Sequence, residues 1–309
     1  MDGADAGLRR TWRPAWPCPV ALNLRILKRG GGDVTYRQDP DGTVWRGIRT
    51  PAGPATLVVR SRSGLGEVHA AAWGPGGEWV LEQLPAMCGA EDDPSGFAPQ
   101  HPVLVEAQRR HEHWRLTRTG LVFEALLPAI IEQKVTGKQA FAAQRLLARR
   151  YGEPAPGPGA ARDLWVPPTP EVVAGIPSWE WLRMGVDPAR SKAAVRAARV
   201  APSLERLVGL PLAEADRRLR TLPGVGVWTS AEVRFRALGD ADALSVGDYH
   251  IAKNVTWALT GTVGDDDDMV ALLEPYRPHR HRVQRLVELA HLSRPRRGPR
   301  LTLPTHLPR

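Results

Sequence analysis

The sequence predicts an α+β protein whose N-terminal domain is rich in antiparallel β-strands and whose remainder is mainly α-helical. Over the first hundred residues, short runs that alternate apolar and polar side chains are separated by Gly and Pro turns, which is typical of strands. After a cluster of breaker residues at 91–96, apolar residues recur every three or four positions, which is typical of amphipathic helices. We therefore predict a β-rich domain at 1–98 and a helical region at 99–309.

The strand candidates of the first domain lie between turn signals. Residues 22–26 alternate apolar and polar side chains and are predicted to form a half-buried strand. A second strand is predicted at 43–49, after a Pro-Asp-Gly turn, and strands at 56–62 and 67–73 are predicted to pair as a hairpin. Residues 78–87 predict a short helix.

The helical region is expected to form two subdomains. The first covers 119–238, the second combines 99–118 with 239–292, and a loose basic tail follows at 293–309. Segments with an apolar stripe at helical spacing predict helices at about 123–131, 137–151, 212–221, 227–238, 249–259, 268–274 and 279–291. Thr169 and Asp187 each precede a proline, a pattern that begins helices. The Pro- and Gly-rich segment 152–168 predicts a loop.

Charge and composition limit the class of protein. The formal net charge is +9 and the isoelectric point is near 10.2, which favours a nucleic-acid partner. Only five of the basic residues are lysines, and the abundance of Arg, Ala, Gly and Pro could also reflect a GC-rich genome. No apolar run approaches the roughly 20 residues that span a bilayer. The acidic N-terminus does not look like a signal peptide, so we expect a cytoplasmic protein.

A pair of glycines lies between two predicted helices. The first helix ends near Thr221, Leu222 and Pro223 follow, and Gly224-Val225-Gly226 leads into the next helix near Val227. Two glycines around one apolar residue allow a tight turn with unusual backbone angles and leave amide N–H groups uncovered. These amides sit at a helix N-terminus, where the dipole favours anions, so they could hold a phosphate regardless of base sequence. A plain turn between helices is the alternative for the tripeptide alone.

Asp248 lies 22 residues after Gly226, in the sequence Ser245-Val246-Gly247-Asp248-Tyr249. It is predicted to cap the helix at 249–259, and a simple cap is the plain interpretation of an aspartate in such a position. The combination of the glycine pair with this aspartate is more specific than either feature alone.

The two motifs together resemble the hairpin and catalytic aspartate of the helix-hairpin-helix (HhH-GPD) DNA glycosylase superfamily. The residues that carry the resemblance are the string LPGVGVWT at 222–229 and Asp248-Tyr249, which is similar to the AlkA-like DNA-3-methyladenine glycosylase II branch. The segment 123–139 resembles the helix and loop that this superfamily directs towards a DNA lesion. The β-rich first domain is similar to the extra N-terminal domain of AlkA-like enzymes. The resemblance implies a helical glycosylase core that carries its hairpin at 222–227.

The resemblance also implies roles for individual residues. The residues expected to contact DNA are Leu222, Gly224, Val225, Gly226, Thr229, Gln133, Lys134, Thr136 and Lys138. The residues expected to line the base pocket are Trp228, Tyr249 and Glu232, and Asp248 is the expected catalytic carboxylate.

The implied activity is that of a monofunctional DNA glycosylase of base excision repair. Such an enzyme flips a damaged nucleotide out of duplex DNA and hydrolyses its N-glycosidic bond. Cleavage builds positive charge on the sugar, which the Asp248 carboxylate would stabilise. Alkylated purines of the 3-methyladenine type already carry a cationic base, so the leaving group needs little help from an acid. Trp228 stands where bifunctional members carry a Schiff-base lysine, which implies that lyase activity is absent.

Two positions depart from the family pattern and leave alternatives open. Glu232 and Glu288 stand near places where AlkA-like proteins tend to carry aromatic residues. The chain could therefore be a non-catalytic damaged-DNA-binding protein on the same fold. It could also be a glycosylase for a different base, either bulky or deaminated.

The expected partner is double-stranded DNA with damaged bases, bound by a monomer in the cytoplasm at the nucleoid. No iron–sulfur cluster is expected, because the chain has only Cys18 and Cys88. No metal site is predicted, although a monovalent cation at the hairpin is left open. The acidic run 265–268 is expected to cap a helix. His279 and His281 are expected at a helix start that faces solvent or phosphate.

Overall fold

A computed structural model describes residues 7–294, and its N-terminal part folds into a five-stranded antiparallel sheet with strand order β1-β5-β4-β3-β2. The strands are β1 (Leu8–Trp12), β2 (Tyr36–Gln38), β3 (Val44–Thr50), β4 (Gly53–Arg62) and β5 (Glu67–Trp73). The predicted strands at 43–49, 56–62 and 67–73 are confirmed, and the last two pair as a hairpin. β1 and β2 are further strands that the sequence pattern did not indicate.

The predicted strand at 22–26 is wrong. These residues lie in helix α1 (Val20–Leu24) and in a 3-10 turn at Arg25–Leu27. Leu24 is fully buried against the sheet, whereas Leu22 packs against a core formed by the C-terminal helices. The apolar residues therefore alternate because the segment lies between two apolar surfaces, and not because it is extended.

The hydrophobic core of the N-terminal part lies between the sheet and two helices, α1 and α2 (Gly77–Met87). α2 confirms the helix predicted at 78–87. Cys18 and Cys88 meet in this core, with the Cys18 Sγ 3.7 Å from the Cys88 carbonyl oxygen, and both thiols are free and buried.

A first helical core is built from the middle of the chain, and its helices begin at strong capping residues. Thr136 forms a capping box with Gln139, and the side chains of Thr169 and Asp187 accept hydrogen bonds from the first-turn amides of the helices that follow them. The helices are α4 (Val122–Glu132), α5 (Gly137–Tyr151), α6 (Pro170–Gly175), α7 (Ser178–Arg183), α8 (Pro188–Arg199), α9 (Ala201–Glu205), α10 (Leu212–Leu219) and α11 (Val227–Val233). A π-helical turn, Arg234–Leu238, continues α11.

A second helical core joins a helix that precedes α4 to the C-terminal helices. Its members are α3 (Pro102–Arg110), α12 (Ile251–Thr260), α13 (Asp266–Leu273) and α14 (Arg280–Leu289). The predicted helices in both cores are confirmed to within a few residues. The domain boundaries that we infer from sequence stay a prediction, and the tail from residue 295 lies outside the described residues. Among the described helices none is both long and apolar enough to cross a membrane.

The sheet and the first helical core are tied together by a short connection. The predicted loop 152–168 contains a two-stranded ribbon of β6 (Glu153–Pro154) and β7 (Trp165–Val166). The Trp165 amide donates to the Val34 carbonyl oxygen at 2.7 Å, and a side chain at Gly47 would collide with the Trp165 carbonyl. β7 also packs against α5, so the ribbon lies between the sheet and that helix.

Candidate functional site

The glycine pair forms a tight turn between α10 and α11, as the sequence predicts. Gly224 has a φ of 96°, a region that favours glycine, and the Val225 amide donates to the Leu222 carbonyl oxygen at 2.9 Å. A Cβ at Gly224 would also lie 2.7 Å from the Cβ of Ala193. Glycine is therefore required at 224 for both its backbone angle and its packing.

Gly226 serves a different purpose from Gly224. Its φ of −95° is open to any residue, so only one of the two glycines needs an unusual dihedral angle. A Cβ at this position would point into open space. Within residues 7–294 the amides of Gly224, Gly226 and Val227 donate to no acceptor. They form an uncovered set of donors at the N-terminal end of α11, where the helix dipole favours an anion.

The segment after α4 lies directly against this turn. The Gln133 side-chain amide donates to the Gly224 carbonyl oxygen and to the Thr229 hydroxyl, both at 2.8 Å. Lys134 follows in the left-handed region at a φ of 53° and is exposed, as is Lys138. Thr136 is occupied in capping α5. The structure therefore brings the two predicted DNA-contact segments, 133–138 and 222–229, to one surface.

Asp248 joins the hairpin to the second helical core. Its Oδ1 accepts hydrogen bonds from the His250 and Ile251 amides at 2.8 and 3.0 Å, so it caps the turn that leads into α12. The helix itself begins at Ile251, two residues later than predicted, with His250 as its N-cap residue. Its Oδ2 accepts a hydrogen bond of 3.3 Å from the indole Nε1 of Trp228. The carboxylate is partly exposed. Trp228 and Asp248, which the sequence separates by a helix and a loop, thus form one cluster.

The loop that presents Asp248 is held by a residue that the sequence analysis did not single out. Gly247 has a φ of 92°, and its amide donates to Oδ2 of Asp266 at 3.0 Å. Asp266 belongs to the acidic run 265–268. Its neighbour Asp265 caps α13 with a capping box, so the helix-capping role predicted for this run is confirmed. The described residues contain no cluster of ligands that could hold a metal ion.

Tyr249 presents an aromatic face beside the carboxylate. Its side chain is 67% exposed, which is unusual for a large aromatic residue. The Lys253 Nζ lies 3.9 Å from the Tyr249 ring centroid, in cation–π geometry. Lys253 is a second residue that sequence reasoning missed, although its position four residues after Tyr249 was visible in the sequence.

Glu232 is buried rather than open to the surface. Its carboxylate accepts a hydrogen bond from Arg236 Nη1 at 2.6 Å and from the Ser245 hydroxyl at 3.1 Å. Burial raises the pKa of Glu232, and the Arg236 charge opposes that shift. The two acidic positions that depart from the family pattern are connected, because Gln284 donates to both the Ser245 hydroxyl and Glu288. The base-pocket role of Glu232 stays a prediction.

The expectation for His279 and His281 is wrong, since both are buried. His281 stacks on Phe235 with ring centroids 4.0 Å apart, and Arg282 pairs with Asp92 inside the protein. The charges of this segment are therefore used within the core, because the start of α14 packs against the π-helical turn and against α3.

Comparison with known proteins identifies the fold. Neither a family model nor a curated protein sequence matches the chain. Among solved structures it is similar to the 3-methyladenine DNA-glycosylase from Archaeoglobus fulgidus, at 17% identity and a TM-score of 0.71, over 92% of this chain and 98% of that chain. It is also similar to the Clostridium acetobutylicum 8-oxoguanine glycosylase/lyase bound to double-stranded DNA, at 14% identity and a TM-score of 0.65, over 88% of this chain and 91% of that chain.

The chain therefore has the α+β fold of the helix-hairpin-helix DNA glycosylases, and the predicted resemblance is confirmed at the level of the fold. The likeness covers the N-terminal sheet as well as both helical cores.

Proposed function

We propose that this protein is a monofunctional DNA glycosylase that hydrolyses the N-glycosidic bond of alkylated purines in duplex DNA. The observation that carries the proposal is the placement of Asp248 beside Trp228 and next to a turn with uncovered amides. A glycosylase needs this combination, since it must hold the DNA backbone and place a carboxylate near one sugar.

The hairpin is the proposed anchor for the DNA backbone. The free amides of Gly224, Gly226 and Val227 can donate to the oxygens of one phosphate. Such contacts carry no sequence information, which suits an enzyme that must search all of the DNA. The exposed Lys134 and Lys138 add positive charge to the same surface.

The segment at Gln133 and Lys134 is the proposed wedge. When a nucleotide leaves the stack, a side chain has to fill the gap. Gln133 is fixed to the hairpin by its two hydrogen bonds, whereas Lys134 is exposed in a strained backbone conformation. Lys134 can therefore enter the duplex with its aliphatic stem while its ammonium group meets a phosphate.

Asp248 is the proposed catalytic residue. Its Oδ1 is held by two backbone amides, which fixes the orientation of the carboxylate. Its Oδ2 has only the Trp228 contact, so it remains able to face a sugar that develops positive charge or to orient the attacking water. A cationic alkylpurine would gain from the aromatic faces of Trp228 and Tyr249, each by roughly 0.5–2 kcal/mol.

The absence of lyase activity is part of the proposal. A lyase step requires an amine that attacks the sugar, and the residue that contacts Asp248 from α11 is Trp228. We also propose that the protein acts as a monomer, because one chain contributes both the hairpin and the carboxylate.

The test is the substitution Asp248→Asn, which keeps the Oδ1 acceptor for the α12 cap but removes the charge. We expect base release from duplexes that carry a 3-methyladenine analogue or 7-methylguanine to fall by at least about 100-fold. Binding to the same duplexes should remain near the wild-type level. Released bases are measured as strand breaks after hot alkali, and breaks without alkali would contradict the monofunctional assignment.

The control is Asp267→Asn, which removes an exposed carboxylate from the first turn of α13. It should release bases at the wild-type rate. Unchanged base release by Asp248→Asn would overturn the catalytic role of that residue. Lesion binding by the wild type without base release from any duplex would instead identify a non-catalytic damaged-DNA-binding protein.

A further inference from the structure

Helix α8 carries a row of three exposed basic side chains that the proposed active site does not include. They are Lys192, Arg196 and Arg199, and because they are spaced by four and three residues they lie on one face of the helix. At 1.5 Å per residue the row is about 10 Å long. The helix sequence contains no acidic residue, so no other side chain of α8 neutralises the row.

The three cations have no partner on other elements either. Within residues 7–294 none of them forms an ion pair or a side-chain hydrogen bond. The exposed arginines of α10, in contrast, pair with Glu214 of their own helix. Like charges at helical spacing repel each other, and the helix dipole favours only Arg196 and Arg199, which lie in the last turn. The local structure therefore gives no reason for Lys192, and an external anion would relieve the repulsion along the row.

The row begins beside the hairpin. A Cβ at Gly224 would lie 2.7 Å from the Cβ of Ala193, the residue that follows Lys192. In the first turn of α8, the Arg190 Nη1 donates to the Ile131 carbonyl oxygen at 2.6 Å and holds the helix against the end of α4. The hairpin, the segment after α4 and the basic row of α8 are therefore neighbours.

The position and length of the row fit a DNA strand. With about 100° of rotation per residue, the three cations lie roughly 60–120° around the α8 axis from Ala193, all on the same side. The row is therefore alongside the turn and not beneath it. Successive phosphates of one strand advance by about 3.4 Å along the duplex axis, so a row of about 10 Å matches roughly three phosphates.

We propose that Lys192, Arg196 and Arg199 form a second contact with the backbone of duplex DNA, next to the phosphate that the hairpin amides hold. The inference rests on the proposed function, because it takes the hairpin as an anchor on DNA. Phosphate contacts carry no sequence information, so the row strengthens binding to damaged and undamaged duplexes alike. Each cation that meets a phosphate also makes binding more sensitive to salt, because it releases bound counterions.

The test replaces Lys192, Arg196 and Arg199 together by Gln, which removes three charges and keeps a good helix former at each position. Binding to an undamaged duplex is measured by fluorescence anisotropy over a range of NaCl concentrations. At about 0.1 M NaCl we expect the affinity to fall by about tenfold or more. The slope of log K against log [NaCl] should decrease in magnitude by roughly two to three. Lys192→Gln alone should reduce it by about one.

The control removes three charges from the N-terminal sheet. Arg9 on β1 and Arg60 and Arg62 on β4 also form no ion pair within the described residues, and they are replaced together by Gln. This variant has the same net charge as the α8 variant. It should keep the wild-type slope, because the slope reports cations that contact phosphates and not the total charge.

Two results would overturn the inference without affecting the role of Asp248. One is an α8 variant that binds undamaged duplex with the affinity and salt dependence of the wild type. The other is an equal loss in the sheet variant, because the effect would then be one of net charge.

Measurements of base release distinguish this inference from the proposed function. If the wild type releases no base from any duplex, but the α8 variant still loses affinity and salt dependence, the glycosylase proposal fails and the backbone contact stands. If the wild type does not bind undamaged duplex at all, both the hairpin anchor and the α8 contact are wrong.

Discussion

Trp228 connects the hairpin segment of the candidate site to the Asp248 carboxylate. It belongs to the hairpin's second helix, yet its indole N–H reaches the Asp248 carboxylate that caps α12. From sequence, Trp228 could equally have been a core residue. The hydrogen bond to Asp248 shows that it also has a polar task, namely to hold the second carboxylate oxygen in place.

The substitution Trp228→Phe separates that task from aromatic packing. A hydrogen bond to a charged group is commonly worth 1.5–3 kcal/mol, and this one is long, so we expect base release to slow by roughly tenfold. The variant should bind lesion DNA nearly as well as the wild type, because an aromatic ring remains at this position. Single-turnover base release gives the rate.

Trp179→Phe, on the exposed face of α7, is the matched control and should leave the rate of base release unchanged. A full-rate Trp228→Phe enzyme would mean that the indole N–H does not contribute to positioning Asp248.

The burial of His281 predicts that the free energy of unfolding depends on pH. Burial, reinforced by the charges of Arg285 and Arg236, lowers the pKa of this fully buried ring well below its usual range. Below about pH 6.5 the unfolded chain binds a proton at this ring while the folded protein does not. The free energy of unfolding should therefore fall as the pH drops from 7 to 5, with up to about 2 kcal/mol due to this one group.

His281→Phe should remove that contribution while keeping a ring against Phe235. Urea unfolding at pH 5, 6, 7 and 8 measures it, and His113→Phe, at a partly exposed histidine, is the control. An identical pH dependence in the wild type and in His281→Phe would show that His281 is not responsible.

At the scale of elements, Gly224 and Gly226 of the hairpin have different structural roles, and one alanine substitution tests each role. Gly224→Ala places a Cβ in a left-handed conformation and against Ala193, so we expect a loss of about 1–3 kcal/mol in stability. Gly226→Ala meets neither problem and should change stability by less than about 0.5 kcal/mol. It nevertheless puts a methyl group into the open space beside the free amides and should weaken binding to undamaged duplex DNA.

Thermal unfolding measures the loss of stability in Gly224→Ala. Fluorescence anisotropy on a labelled duplex measures the weaker DNA binding of Gly226→Ala. If Gly226→Ala binds duplex DNA like the wild type, then the amides of the hairpin are not the phosphate anchor.

The elements that sequence predicted best are those whose signals are local. Thr169 and Asp187 cap the helices that follow them because a capping side chain and a proline need only their neighbours. Residues 22–26 could not be assigned in this way, since their alternation reflects two different cores on either side of α1. The burial of His281 and Glu232 could not be predicted from the sequence either, because it depends on how α14 and the 240–248 loop pack onto the end of α11.

For the site, sequence predicted the main parts but not their supports. The Gly224 turn and the Asp248 cap follow from residue types at a recognisable spacing. The Asp266 side chain that holds Gly247, and the Ser245–Gln284 chain between Glu232 and Glu288, are contacts between distant segments. A single sequence contains no signal for contacts of that kind.

At the scale of the whole molecule, the β-rich part packs closely against the helical cores. Leu22 and Ile26 of the N-terminal part pack into helical cores, and Arg29 pairs with Glu132 at the end of α4. Arg46 of the sheet pairs with Glu124 of α4 in the same way. The contacts between the sheet and the helices therefore stabilise both parts of the molecule.

We accordingly expect a single cooperative unfolding transition rather than two. Because Leu22 and Ile26 of the N-terminal part pack into the helical cores, loss of the N-terminal part would expose apolar surface on the helices and destabilise them. Differential scanning calorimetry should give a calorimetric enthalpy equal to the van't Hoff enthalpy, and circular dichroism at far- and near-ultraviolet wavelengths should report the same midpoint. Two resolved transitions would contradict the expectation that the sheet and the helices unfold together.

The two cysteines buried behind the sheet have a practical consequence. Cys18 and Cys88 are the chain's only thiols, and both are enclosed in the folded protein. A cysteine introduced at an exposed position such as Lys138 would therefore be the one readily alkylated by a maleimide dye under native conditions. The chain is therefore suited to site-specific labelling beside the proposed DNA-facing surface, without first removing a native cysteine.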